Sequence, residues 1–182
     1  MKKKEFVEAI CTILDKKGVL SHKDAVALKK NYDDRSQTSF DDFLLAEGLV
    51  EKEDLLDALS SYYQVPFMDP IGYFFDHYLI TRFPKDFLLR NLILPVEVLE
   101  DAILVVVAND PSDEELLPAL GNYVSYDIQF MVGIASEIIE SVEEFYDKSL
   151  TDLGLDDTVI LESEKEIKDE ARELLDETYE EE

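Results

Sequence analysis

The side chains best equipped for chemistry in this chain are Cys11, His22 and His77. A cysteine beside a histidine would supply a thiolate nucleophile and its base. Cys11, however, falls within the apolar register of the first helix, which is the setting of a buried structural thiol. His77 lies among Phe74, Phe75 and Tyr78, surroundings that suit a packed or half-exposed histidine. Neither histidine stands in a His-x-x-x-His or Cys-x-x-Cys setting, and a zinc site needs about four N or S ligands. Two acid pairs, Asp54 with Asp57 and Glu114 with Glu115, would be carboxylate pairs or a calcium site. They lack the alternating ligands and central glycine of a calcium loop, so acids at helix starts and on solvated faces account for them. The six glycines are scattered from Gly18 to Gly154, and no Gly-Lys-Ser/Thr occurs, so no loop cradles a phosphate. The chain therefore reads as having no catalytic residues, no cofactor-binding residues, no metal ligands and no cofactor. Without a nucleophile, base and orienter set, it does not read as an enzyme.

The first third of the chain holds an internal repeat of 30 residues. Ile10, Ile13 and Leu14 match Phe40, Phe43 and Leu44. Gly18-Val19-Leu20 matches Gly48-Leu49-Val50, and Asp24 matches Asp54. Each unit reads as a helix, a glycine stop, an apolar pair and a second helix, with Gly supplying the left-handed residue that ends the first helix. Ser21 with Asp24 resembles a capping pair. Leu55, Leu56, Leu59 and Tyr63 form an apolar face at helical spacing.

The helical part ends near Gln64. Val65-Pro66-Phe67 is expected to be extended, because a residue before proline is pushed out of the helical region. Asp69 to Gly72 reads as a turn, and Tyr73 to Ile80 as an aromatic stretch with a short helical turn over the core. Pro84 sits where a helix starts, over Lys85 to Arg90. Leu92 to Val98 and Ala102 to Ala108 are apolar and β-branched and read as a hairpin. Ser112 to Leu120 reads as a helix, Tyr126 to Val132 as a third strand, and Ser136 to Asp147 as a closing helix.

The fold class is thus α+β. An N-terminal helical repeat subdomain (1–64) precedes a small three-stranded, mainly antiparallel sheet with helices (65–148). An acidic linker or tail (149–182) follows, with a candidate helix over 163–179 started by Ser163 and Glu166.

Charge bounds the partners. The net charge is −26, from 43 acids against 17 bases. A field of that sign repels phosphate backbones and anionic lipid, so nucleic acid and direct membrane binding are poor expectations. Basic or mixed-charge protein surfaces are better ones. Eight bases fall in the first 30 residues, whereas 151–182 holds 14 acids and 3 bases. One cysteine allows no internal disulfide and suits a reducing compartment. Glu5 and Glu8 interrupt what would be a signal-peptide core after Lys2-Lys3-Lys4. The longest apolar run, Ala102 to Ala108, is too short to span a bilayer. The expected location is cytoplasmic.

Four segments in order carry a resemblance over Ser39 to Tyr146. Gly48-Leu49-Val50, Leu55, Ala58-Leu59 and Pro66-Phe67 form the first. Phe83-Pro84, Leu88-Leu89-Arg90 and Leu94-Pro95 form the second. Val107-Ala108-Asn109-Asp110-Pro111 is the third, and the helix from Ile138 to Tyr146 the fourth. Together they resemble the N-terminal domain of type II secretion and type IV pilus assembly ATPases. The resemblance implies a docking and regulatory domain that binds the cytoplasmic domain of an inner-membrane platform protein. It places an ATPase domain after the acidic linker as a further partner if the chain is a fragment. Some relatives bind cyclic di-GMP through two helical repeats, each opening Arg-Leu-Gly and ending in Gln. Here the openings are Ala9-Ile10-Cys11 and Ser39-Phe40-Asp41, and Tyr32 and Tyr62 take the Gln places. Arg suits phosphate or guanine, whereas Asp41 would repel phosphate. The resemblance therefore makes cyclic di-GMP sensing the alternative to docking, with its ligand residues replaced.

Overall fold

The computed structural model describes residues 2–32 and 38–152. The chain divides into two compact units, 1–143 and 144–182, and the features below, apart from the last residues of the closing helix, belong to the first. The expected helix over 163–179 lies outside the described residues.

Two helical hairpins share one pattern of hydrogen bonds at their turns. Helices α1 (Lys2–Lys16) and α2 (His22–Asn31) form one hairpin, and α3 (Phe40–Ala46) and α4 (Lys52–Tyr63) the other. Gly18 and Gly48 both take positive φ, 73° and 64°, where a side chain would be strained. Val19 N donates to Leu14 O and Leu49 N to Leu44 O, each at 3.0 Å; Gly18 N donates to Asp15 O and Gly48 N to Leu45 O, also at 3.0 Å. Ser21 caps α2 by accepting from Asp24 N, as the Ser-x-x-Asp spacing predicts. The units differ at their openings. Ser39 is the N-cap of α3 and accepts from Asp42 N, but α1 begins at Lys2, so Ala9-Ile10-Cys11 lies within a continuous helix.

A short helix α5 (His77–Ile80) and α6 (Lys85–Asn91) lead into the sheet. The aromatic stretch departs from expectation. Leu79 and Ile80 are buried, but Phe74 is 98% exposed and Tyr78 83% exposed. Only the last two residues of that stretch are buried; Phe75 is half-buried against Tyr73, and the Phe74 and Tyr78 rings face solvent.

The sheet has three strands in the order β1 (Ile93–Leu99), β2 (Ile103–Ala108), β3 (Asp127–Val132). β1 and β2 pair antiparallel, but β2 and β3 pair parallel, Ile103 opposite Asp127 through Ala108 opposite Val132. The sheet is therefore mixed rather than mainly antiparallel. Parallel pairing requires the connection between β2 and β3, which contains helix α7 (Leu116–Gly121), to return the chain to the starting end of the sheet. With partners on both sides, β2 is buried from Leu104 to Ala108, and its unbroken apolar run fits a central strand. Pro95 is tolerated because β1 bulges between Pro95 and Glu97.

The helical and sheet regions share apolar packing. Ile10, Leu14, Leu44, Leu55 and Leu59 cluster with Val132 and Ile134 at the end of β3. The extended segment expected at 65–67 joins there: Val132 N donates to Pro66 O at 2.9 Å, and Met68 N to Val132 O at 3.0 Å. Gly133 passes so close to β2 that a Cβ on it would meet Val107 Cγ1 at 2.6 Å. Helix α8 (Ala135–Asp152) starts directly after it, with Ile138 and Val142 buried.

Candidate functional site

The four positions read from the repeat as Tyr32, Ser39, Asp41 and Tyr62 converge on one groove of about 420 Å³. Its walls come from the first turns of α1, the end of α2, the start of α3, the end of α4 and the loop after β2. Cys11, the counterpart of Asp41 in the first unit, does not reach it: Cys11 is fully buried, and burial pushes its thiol up to about 11. It is a structural thiol held in its protonated form.

Aromatic rings dominate the groove. Phe6 and Tyr62 pack edge to face with centroids 5.2 Å apart, Tyr62 and Tyr63 at 4.8 Å, and Tyr32 and Phe40 at 4.8 Å. Burial, and then the neighbouring Asp110 carboxylate, push the Tyr63 hydroxyl far up, so it remains a neutral donor. Asp110 also accepts from Ser112 N at 3.1 Å, an Asx turn of the kind expected before proline.

Asp41 forms the floor. It is 3% exposed. Its Oδ2 accepts from Asn109 Nδ2 at 2.9 Å and from Ala135 N at 3.3 Å, and Asn109 Nδ2 also donates to Gly133 O at 3.1 Å. Asp42 Oδ1 accepts from Ser136 N at 3.3 Å. Two acids of α3 thereby serve the unpaired N–H groups at the start of α8, where negative charge is favoured. Burial holds the Asp41 carboxyl above the usual carboxylate range, against the Ser39 hydrogen bond. Asp41, expected from the sequence to repel phosphate, carries a structural bond set as well.

The other candidates do not gather. His22 Nδ1 lies 2.7 Å from Asp15 Oδ2 on the surface, and His77 packs against the Tyr78 ring. Asp54 and Asp57 are exposed on α4, and Asp57 pairs with Lys17. Glu114 and Glu115 are exposed before α7. Among the described residues, no group of His, Cys, Asp or Glu is placed to hold a metal ion, and no helix is long and apolar enough to cross a membrane.

Sequence reasoning missed one polar cluster. Lys52 Nζ bridges Glu137 Oε1 at 2.7 Å and Asp69 Oδ2 at 3.0 Å. Burial raises the Glu137 carboxyl, and Lys52 opposes that rise. The three residues are far apart in sequence, so no local pattern announces them.

Residues 63–152 match the sequence profile of the MshEN domain. Over those residues the chain is similar to an MshEN domain. The match begins at the end of α4 and covers the sheet and α8. Over 103 residues the chain is 27% identical to the type IV pilus assembly ATPase PilB of Myxococcus xanthus strain DK1622, covering 57% of this chain and 18% of PilB. It thus spans under a fifth of that relative. A structure of MshE with cdg superposes with a TM-score of 0.56 at 20% identity, over 75% of this chain and 98% of the other. The N-terminal domain of XpsE gives 0.53 at 20% identity, over 74% and 92%. These likenesses share the fold and extend beyond 63–152.

Proposed function

We propose that this chain works by binding, as the regulatory N-terminal module of a type II secretion or type IV pilus assembly ATPase in the cytoplasm. The observation that carries this reading is the convergence of Tyr32, Ser39, Asp41 and Tyr62 from both repeats on a single groove. Its first form is docking to the cytoplasmic domain of an inner-membrane platform protein. The solvent-facing rings of Phe74 and Tyr78 support it, because exposed aromatic side chains that add nothing to the core are common anchors of protein interfaces. Capture of that platform domain by the full chain tests it. Absence of binding at high micromolar concentration would sink it.

Cyclic di-GMP sensing is the second form, and the comparisons favour it more directly, since the MshE structure was solved with cdg. The groove is in the right part of the repeats, and its tyrosines are suited to stacking on a base. Its charge pulls the other way: Glu5, Asp41 and Asp110 line it against Lys3 alone. Titration calorimetry with cyclic di-GMP decides between the two. Saturable low-micromolar binding supports sensing, and its absence leaves docking.

A further inference from the structure

We propose that the groove between the two repeats holds the guanidinium of an arginine presented by a basic segment of a partner protein. The proposal rests on reading the chain as a module that docks protein, and it names the chemistry of what docks. Rings and carboxylates occur together here. Phe6, Tyr62 and Tyr63 pack edge to face or tilted, Tyr32 packs edge to face on Phe40, and Phe6 meets Phe40 edge to face. A cation over such ring faces is attracted by their quadrupoles. Asp41 and Asp110 add negative charge at the start of α3 and after β2. The opposing lysine, Lys3, stands on the first turn of α1.

Arginine fits this set better than lysine. Its planar fork stacks on aromatic faces, bonds carboxylates in pairs and sheds water more readily than an ammonium. The same lining disfavours an anionic ligand, whose phosphates would face carboxylates across a partly desolvated space. The net charge of −26 draws basic segments toward the surface in general. The groove adds what diffuse attraction lacks: a site that recognises the side chain itself.

The test is fluorescence anisotropy of the full chain with a labelled Gly-Arg-Gly-Arg-Gly peptide and with the same peptide carrying citrulline, which keeps the shape of arginine and removes its charge. Saturable binding of the arginine peptide is expected, with citrulline at least tenfold weaker. Tyr62→Ala and Asp110→Asn should each weaken the arginine peptide by about three- to tenfold. Glu53→Gln, an exposed acid on α4 outside the groove, should not. Circular dichroism confirms that each variant folds, and Asp110→Asn serves alone if Tyr62→Ala does not. Equal loss in Glu53→Gln, or no loss in the groove variants, would mean field attraction only and overturn the proposal. Tyr62-dependent binding of cyclic di-GMP in place of the peptide would overturn it too. Platform capture through the Phe74 loop would survive either result, so the two readings fail separately.

Discussion

Asp41, in the first turn of α3, accepts a hydrogen bond from the backbone N–H of Ala135 at 3.3 Å, across 94 residues of sequence. That bond joins the second repeat to the start of α8. It also accounts for an aspartate that is 97% removed from solvent, as its 3% exposure requires. Asp41→Ala would leave the Ala135 N–H without its acceptor and take one partner from Asn109. The expected loss is about 1–3 kcal/mol in urea unfolding. Asp41→Asn keeps an oxygen in place and should cost far less.

The same residue sets a pH dependence. Burial raises the folded carboxyl above its ordinary value of 3.8. Between the two values the folded chain holds a proton that the unfolded chain has released, so this group's contribution to stability falls as pH rises through that window. Wild type should therefore lose stability relative to Asp41→Asn as pH climbs from about 3.8, then run parallel to it above the folded value. A constant difference across that range would contradict the assignment.

Much of the helical half is legible in the sequence because its signals are local. Gly18 and Gly48 end helices through their own backbone, and Ser21 caps α2 with a residue three positions on. The strands are legible for the same reason: runs such as Ile103 to Ala108 announce themselves by composition. The parallel pairing of β2 and β3 does not, because strand direction depends on where α7 returns the chain. Nor does the bonding of Asp41, whose partners Asn109 and Ala135 lie 68 and 94 residues away. The sequence places Tyr73 to Ile80 over the core because aromatic content alone does not distinguish rings that bury from rings that stay in solvent, as Phe74 and Tyr78 do.

Cys11 provides a test of packing. Its thiol is fully buried and pushed up to about 11, so little thiolate exists at neutral or mildly alkaline pH. An aromatic disulfide reagent should label it only at the rate of global or local opening, and fast after denaturation. Rapid labelling of the native chain would mean that the α1 core is open.

Gly133 is required by space rather than by dihedral angle. A methyl group there would meet Val107 Cγ1 at 2.6 Å, with Met68 O at 3.4 Å behind it. Gly133→Ala should destabilise the chain by about 1–3 kcal/mol through overpacking. Trimming the neighbour in Val107→Ala/Gly133→Ala should recover part of the loss, and a strictly additive double variant would show that the two sites do not meet.

The Lys52 cluster predicts an asymmetry between its partners. Glu137 Oε1 takes the Lys52 ion pair, while Glu137 Oε2 is buried without a hydrogen-bond partner. Lys52→Met would strand a buried carboxylate beside Asp69, with the cation that offsets its burial gone. Because Lys52 is itself 42% exposed, the cost should be about 1–2 kcal/mol, below that of a fully buried pair. Glu137→Gln removes the charge and its desolvation together, so it should cost less than Lys52→Met, and the double variant should be no worse than Lys52→Met alone. Chemical denaturation of the three variants checks the order; a larger loss from Glu137→Gln would show that the carboxylate is a net source of stability.

Phe74 separates binding from folding more cleanly than any groove residue. At 98% exposure its ring contributes almost nothing to the core, so Phe74→Ser should leave the unfolding midpoint within about 0.5 kcal/mol of wild type. If the loop anchors a platform protein, the same substitution should weaken capture of that domain by roughly tenfold or more, the loss expected when an aromatic anchor is truncated. Tyr78→Ser, at 83% exposure, should act in the same direction. Undiminished capture by a Phe74→Ser/Tyr78→Ser chain would remove the loop from the docking surface, while cyclic di-GMP or arginine-peptide binding in the groove would be unaffected by it.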